Sequence, residues 1–364
     1  MGMSISEHIK NLRKDKKLKV RQVASITSID QALISKFENG NRIPTDEHIK
    51  ALAICYDVPY DSLKKLQLVE MVYTMLQDEP LGYDALVAAE PRLEYIAKKS
   101  LSAHLATTIE IQSKLDHLDS LREKFHNLQK QKGIHAQKVD EHFTLKYTYE
   151  SNKIEGNTLT LSETMMIVKE GITISGKSVN EHLEAINHSE AIELLFDFVQ
   201  NKVHFSESLV LQFHALILRG INRSLAGKYR NVNVRILGAE HIPPEPYLVP
   251  KMMEDYFIFY QSAFKKIHPV LLAAQMHERL VTIHPFIDGN GRTARLVMNL
   301  ILAMHGYPLA ILKGDQNSRL AYFKALENVQ VNGNPESFYE LIIEALTHTM
   351  EEHIHLLQPF DHVK

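Results

Sequence analysis

The sequence predicts a mainly α protein built as two or three domains. Three observations carry that reading. Apolar residues recur at helical spacing through most of the 364 positions. A single stretch, Arg230-Asn231-Val232-Asn233-Val234-Arg235-Ile236-Leu237-Gly238, alternates Val or Ile with polar residues as a strand does. The segment His284–Arg295 gathers a His, an Asp, two Gly, an Asn and two Arg ahead of an apolar run at Leu296, Val297, Leu300 and Ile301. That is the layout of an anion-binding loop opening a buried helix.

Residues 1–68 read as five short helices: Ser6–Lys14, Val20–Ile26, Gln31–Glu38, Asp46–Tyr56 and Tyr60–Leu66. Asp30 is placed to cap the third and Gly40 follows its end, while Thr45 after Pro44 caps the fourth. Pro80, Gly82 and Pro91 mark 69–100 as a hinge region. From Thr107 to Lys130, Ile111, Leu115, Leu118, Phe125 and Leu128 define one long amphipathic helix, so 69–136 is read as a helical linker. Too few heptads are present for a free coiled coil, which favours packing on the following domain. That domain, 137–364, holds helices at Ser206–Leu218, His268–Thr282, Arg292–Met304, Ser318–Val329 and Glu336–His355.

Composition narrows the class. Apolar residues make up 45% of the chain, enough for real cores, and the net charge of −3 excludes a polycation. Residues 1–68 carry twelve Lys/Arg against eight Asp/Glu, so basic character is local to that end. Cys55 is the only cysteine, which excludes an internal disulfide and fits a reducing cytoplasm. No apolar run reaches the ~18–20 residues needed to span a bilayer, and the N-terminus lacks a signal-peptide apolar region. A cytoplasmic protein without a membrane partner is expected.

The loop chemistry follows from residue types. Gly289 and Gly291 let the backbone turn and approach a ligand. Arg292 and Arg295, three apart, share one side of the first helical turn and reach outer phosphates. Asp288 supplies a hard oxygen for Mg²⁺ bridging phosphate oxygens. His284 is the natural general base near neutral pH. This segment resembles the core motif of the Fic family, His-x-Phe-x-Asp/Glu-Gly-Asn-Gly-Arg-x-x-Arg, at every defined position. The resemblance implies an all-helical core at about 203–346 that binds ATP–Mg²⁺ on Gly289–Arg295. Asn290 would fix the α-phosphate and Arg292 and Arg295 the outer phosphates, and AMP would pass to a Ser, Thr or Tyr hydroxyl of an unknown target protein and of the chain itself. A phosphoryl or phosphocholine transfer fits the same scaffold, but the intact arginine pair favours a triphosphate donor.

Three further stretches take meaning from that resemblance. Ser151-Asn152-Lys153-Ile154-Glu155-Gly156 resembles the family's inhibitory motif. Ser151 and Glu155 lie four apart on one helix face, and Gly156 can end the helix there. Glu155 would then pair with Arg295 and compete with the γ-phosphate. The strand-like stretch with Val234, Ile236 and Gly238 matches the target-docking flap, expected as a short β-hairpin with an accessible edge. Tyr322 and Phe323 lie near the place of an adenine-packing aromatic. His277 is read as a core histidine, and His268 as catalytically silent.

Residues 1–68 resemble the Cro/repressor-type helix-turn-helix domain, carried by Val23-Ala24, Ile34-Ser35-Lys36-Phe37-Glu38-Asn39-Gly40, Arg42 and Pro44. Gln31, Ala32, Ser35 and Lys36 would then face the major groove of duplex DNA and Arg42 its phosphates. Val20, Lys19 and Ser28 depart from the family's usual Gln, Ser/Thr and Gly, so a retained protein-interaction module is the alternative. Both domain types often work as dimers, and a homodimer is expected. Two other functions stay open: removal of AMP with Glu155 positioning water, and a transcriptional regulator using the Fic domain as a nucleotide switch.

Overall fold

The computed structural model describes residues 4–101 and 108–358. Among the described residues there are sixteen α-helices, one 3₁₀ turn and no strand. The chain divides into two compact units, Met1–Leu101 and Ser102–Lys364, so the boundary falls inside the stretch expected as linker.

The first unit comprises α1 (Ile5–Asp15), α2 (Val20–Thr27), α3 (Gln31–Glu38), α4 (Asp46–Tyr56), α5 (Tyr60–Leu76) and α6 (Gly82–Leu101). The Asp30 carboxylate accepts the N–H groups of Ala32 and Leu33, starting α3 where the sequence indicated. Ile9, Val23, Ile34, Phe37, Ile49, Leu52 and Tyr56 close the core between α1 and α4. Arg13 clamps Glu38 through Nε and Nη2 at 2.6 and 2.8 Å, and its Nη1 donates to the Leu18 carbonyl. α5 runs ten residues beyond the expected Leu66, and α6 occupies much of the expected hinge.

The second unit comprises α7 (Ile109–Lys132), α8 (Ile134–Ile154), α9 (Leu161–Glu170), α10 (Val179–Gln200), α11 (Glu207–Ile217), α12 (Val249–Ala263), α13 (Pro269–Ile283), α14 (Asn290–Met304), α15 (Gln316–Asn332) and α16 (Glu336–Leu357). α14 is its axis, with buried residues on every side, including Leu296, Val297, Leu300 and Ile301. α13, α10, α11 and α8 surround it. α7 lays Ile111, Leu115, Leu118 and Phe125 into the same core and packs along α16 rather than standing free as a coiled coil.

The expected β-hairpin at 230–238 is absent. Residues 231–236 are irregular and unpaired, with a turn at Leu237–Gly238. The cause lies on the returning side. Pro243, Pro244 and Pro246 have no N–H to offer a ladder. The segment is held by side chains instead. Arg230 donates from Nη1 to Val232 O and from Nη2 to Pro244 O, and His241 Nε2 donates to Thr282 O.

Candidate active site

The site is built where α13 ends and α14 begins. His284 caps α13 in the left-handed conformation (φ 50°), which an L-residue adopts only when its surroundings hold it there. Arg230 supplies that hold. Its Nε donates to the His284 carbonyl at 2.8 Å and its backbone N–H to Pro285 O at 2.9 Å. The imidazole Nδ1 faces the Val281 carbonyl at 3.3 Å. A carbonyl only accepts, so Nδ1 carries the proton and Nε2 keeps its lone pair. Burial lowers the His284 pKa to about 4, with Arg230 contributing, so the ring is neutral at physiological pH.

The loop is tied from within and from below. Asn290 accepts the Phe286 N–H at 3.0 Å and donates to the Phe286 carbonyl at 2.9 Å. Its buried amide thus staples the loop, beyond the phosphate contact expected of it. Phe286 stacks on the His214 ring at 3.6 Å. His214 Nδ1 accepts from Gly227 N, and Nε2 therefore donates to the Asp288 carbonyl at 3.0 Å. Gly289 has φ 77°, and a Cβ there would meet that imidazole at 3.4 Å.

Polar groups converge on this loop. The Asp288 carboxylate accepts the Gly289 N–H at 2.6 Å and is 61% exposed, at the mouth of the site. Arg292 Nη2 lies 3.6 Å from it. Arg295 is 1% exposed, and its polar partners come mainly from the end of α8. Nε donates to Ser151 Oγ at 3.0 Å, and Nη2 to Ser151 O at 2.9 Å and to Glu155 Oε1 at 2.7 Å. Nη1 faces Tyr322 Oη at 3.5 Å, and that hydroxyl meets His277 Nε2 at 3.1 Å. Burial opposes ionisation of Glu155, but Arg295, Arg292 and Arg319 outweigh it and hold the carboxyl below its ordinary range. A Cβ on Gly291 would stand 2.4 Å from Glu155 Oε1. Glu155 therefore lies over the backbone that was expected to receive phosphate. Gly156 follows at φ 101°, turning the chain away after α8.

Residues expected at one site are thus largely brought together: His284, Asp288, Gly289, Asn290, Gly291, Arg292 and Arg295, with Ser151 and Glu155 docked on them. Tyr322 is buried in the Arg295 network, which leaves Phe323, 42% exposed beneath the Arg319 guanidinium, as the open ring of that pair. Val234 and Ile236 are half-buried and Gly238 is exposed on the irregular segment. In the first unit Gln31, Ala32, Lys36 and Arg42 are exposed, and Ser35 is half-buried with Oγ donating to Gln31 O. Ile34 and Phe37 point inward, so the outer face of α3 is the one expected to read DNA.

A polar loop at a buried helix start, carrying two arginines and a neutral histidine, is the arrangement expected of the Fic core motif. Residues 204–302 match the Fic/DOC family model and residues 9–63 a helix-turn-helix model. The chain therefore joins a helix-turn-helix domain to a Fic domain. The protein adenylyltransferase Fic of Drosophila melanogaster is 30% identical over 271 residues, 74% of this chain and 54% of that protein. The chain thus spans about half the length of such curated relatives. The Drosophila grimshawi protein of that name is 28% identical over 344 residues, covering 90% of this chain and 69% of its own length. Among solved structures, a Fic-domain-containing signalling protein from Bacteroides thetaiotaomicron is similar at 26% identity and TM-score 0.61, over 66% of this chain and 96% of that one. Fic-1 from C. elegans shares the fold at 23% identity and TM-score 0.59, over 93% and 98%.

Proposed function

We propose that this chain is a protein adenylyltransferase that moves AMP from ATP to protein hydroxyls, restrained by Glu155. One observation carries the reading: the Glu155 carboxylate lies on Arg295 and over Gly291, inside a loop whose motif residues are all present. The curated relatives named protein adenylyltransferase support the same chemistry.

The residues divide the work. The N-terminus of α14 and Arg292 and Arg295 bind the triphosphate. Asp288 offers one exposed carboxylate at the mouth of the site, and no cluster of three or more His, Cys, Asp or Glu able to hold a metal occurs among the described residues. A single hard oxygen beside a phosphate-binding loop fits Mg²⁺: Asp288 would hold the ion, and the ion would supply charge neutralisation when bound. A hydroxyl of a protein segment lying along 231–238 attacks the α-phosphorus. The bond to the β-phosphate breaks, pyrophosphate leaves, and His284 Nε2 takes the hydroxyl proton. Positioning and charge stabilisation account for most of the rate.

The test is the position of label. Glu155→Gly protein given α-labelled ATP should become labelled, and γ-labelled ATP should leave it unlabelled. Label from the γ-position would replace adenylylation with phosphorylation. The reverse reading, removal of AMP, is favoured by the same placement of Glu155. It requires AMP loss from a modified protein by wild type and none by Glu155→Gly.

The first unit is proposed to bind duplex DNA, and a two-fold operator would suit a homodimer. Use of ATP and DNA points to the cytoplasm. No helix among the described residues is long and apolar enough to cross a membrane. Selection from random duplexes should recover an enriched sequence, with affinity falling as salt rises. Arg42→Ala should weaken all sequences alike and Gln31→Ala should relax preference. No enrichment would leave the unit as a protein-interaction module.

A further inference from the structure

Arg292 differs from Arg295 in how it is held. Its side chain is 4% exposed, and Nη1 donates to Glu184 Oε1 at 2.8 Å. Glu184 sits on α10, outside both sequence motifs. Its second oxygen accepts from Asn157 Nδ2 at 2.9 Å. Asn157 belongs to the turn that follows Glu155 and Gly156, and its N–H donates to Asn152 O at 3.1 Å. Asn152 Nδ2 in turn donates to the Glu184 backbone carbonyl at 3.2 Å, and Asn157 Nδ2 also reaches Glu181 O at 3.2 Å.

These contacts join one turn to both arginines, by different routes. Glu155 lies on Arg295 directly, and with Ser151 and Tyr322 it takes donors that a phosphate would need. Glu184 takes Nη1 of Arg292 alone, while Nη2 still faces the mouth of the site near Asp288. A carboxylate that holds one edge of a planar guanidinium fixes the direction of the others. Without it, a buried guanidinium with one weak outer contact has no set orientation.

We propose that Glu184 is a positioning residue that aims Arg292 at the phosphates of the donor nucleotide. Asn157 locks Glu184 to the inhibitory turn, so the turn restrains one arginine while steadying the other. This rests on the ATP-binding reading of the loop.

The experiment is binding, measured by calorimetry with Mg²⁺, in the full chain carrying Glu155→Gly. Ligands are a non-transferable ATP analogue, and AMP, which lacks the outer phosphates. Adding Glu184→Gln should weaken the ATP analogue about tenfold, the scale of one charge-assisted contact, and leave AMP within about twofold. Asn157→Ala should act in the same direction more weakly. Asn157→Asp, which places a like charge against Glu184, should act more strongly. Tighter binding of the ATP analogue in Glu184→Gln would make Glu184 a competitor and overturn the proposal. Unchanged affinity, or equal loss for AMP and the ATP analogue, would overturn it too. Should Glu184→Gln fail to fold, the two Asn157 variants decide by their order. Absence of ATP binding before Glu184 is touched would instead refute the reading of the loop itself.

Discussion

Replacing Glu155 by Gly perturbs the site at its most constrained contact. Arg295 is almost wholly buried, and among the described residues Glu155 is the carboxylate paired with it, at 2.7 Å. The substitution leaves the two Ser151 contacts and Tyr322 in place. A charge-assisted hydrogen bond contributes about 1.5–3 kcal/mol net. A nucleotide that no longer competes with it should gain that amount, about ten- to over a hundredfold in affinity. Removing the negative charge above Gly291 acts in the same direction. The free protein should suffer, because a buried arginine that loses its carboxylate costs about 3–5 kcal/mol when the pair is fully enclosed. Glu155 is 32% exposed, so the loss should fall below that figure. Calorimetry with a non-transferable ATP analogue measures the gain, and thermal unfolding with and without nucleotide measures the loss. Glu155→Gly should melt below wild type alone and gain more from nucleotide. Arg295→Ala in that background should cancel the affinity gain. Equal affinity in wild type and Glu155→Gly would refute the competition, and Ser151–Gly156 would then be an ordinary helix end.

The His284 pKa is lowered to about 4, so the neutral base persists well below pH 6. Transfer by Glu155→Gly should therefore hold its kcat/KM from pH 8 to about pH 5, and an acid limb near 6.5 would place His284 in water. Arg230→Lys in the Glu155→Gly background should lower transfer by about a hundredfold while ATP affinity stays within about twofold, since the guanidinium positions His284 and touches no expected phosphate ligand. Loss of ATP binding instead would mean that the whole loop collapses. Burial pushes Glu278 up to about 7, against the opposing charge of Arg279. A carboxyl raised in the fold supports stability below its ordinary range and loses that support as pH rises through 7. Glu278→Gln should match wild type in thermal unfolding at pH 4 and exceed it at pH 8, by on the order of 2–3 kcal/mol. A constant difference across that range would exclude the linkage.

Local signals were legible where one side chain decides a boundary. Asp30 and Thr45 cap α3 and α4, whose limits read directly from the sequence. The Gly-rich loop opening α14 was equally readable, because its residues are contiguous and an apolar run follows at once. α9 and α10 lie outside the helices expected from the sequence, although Thr160 with Glu163 and Ser178 with Glu181 form capping boxes that mark both starts. The expected hairpin fails because alternation over 230–236 is a strand signal only if a partner can pair, and Pro243 and Pro244 on the other side cannot donate. Glu184 and Arg230 were invisible for another reason. Their partners lie 108 and 54 residues away, and no local period reports a long-range ion pair or a guanidinium holding three carbonyls. Tyr322 shows the same limit, since an aromatic near the expected nucleotide turns inward to Arg295 and His277.

The most direct test of the site is AMP incorporation from α-labelled ATP by wild type, Glu155→Gly and Glu155→Gly with His284→Ala, at one ATP concentration and with Mg²⁺. Wild type should incorporate little and Glu155→Gly far more. The double variant should fall by ~10²–10⁴-fold from the activated level, because the base is gone while the phosphate ligands remain. Incorporation by the double variant at the level of Glu155→Gly would contradict the assignment of His284 as base, and with it the chemistry proposed for this loop.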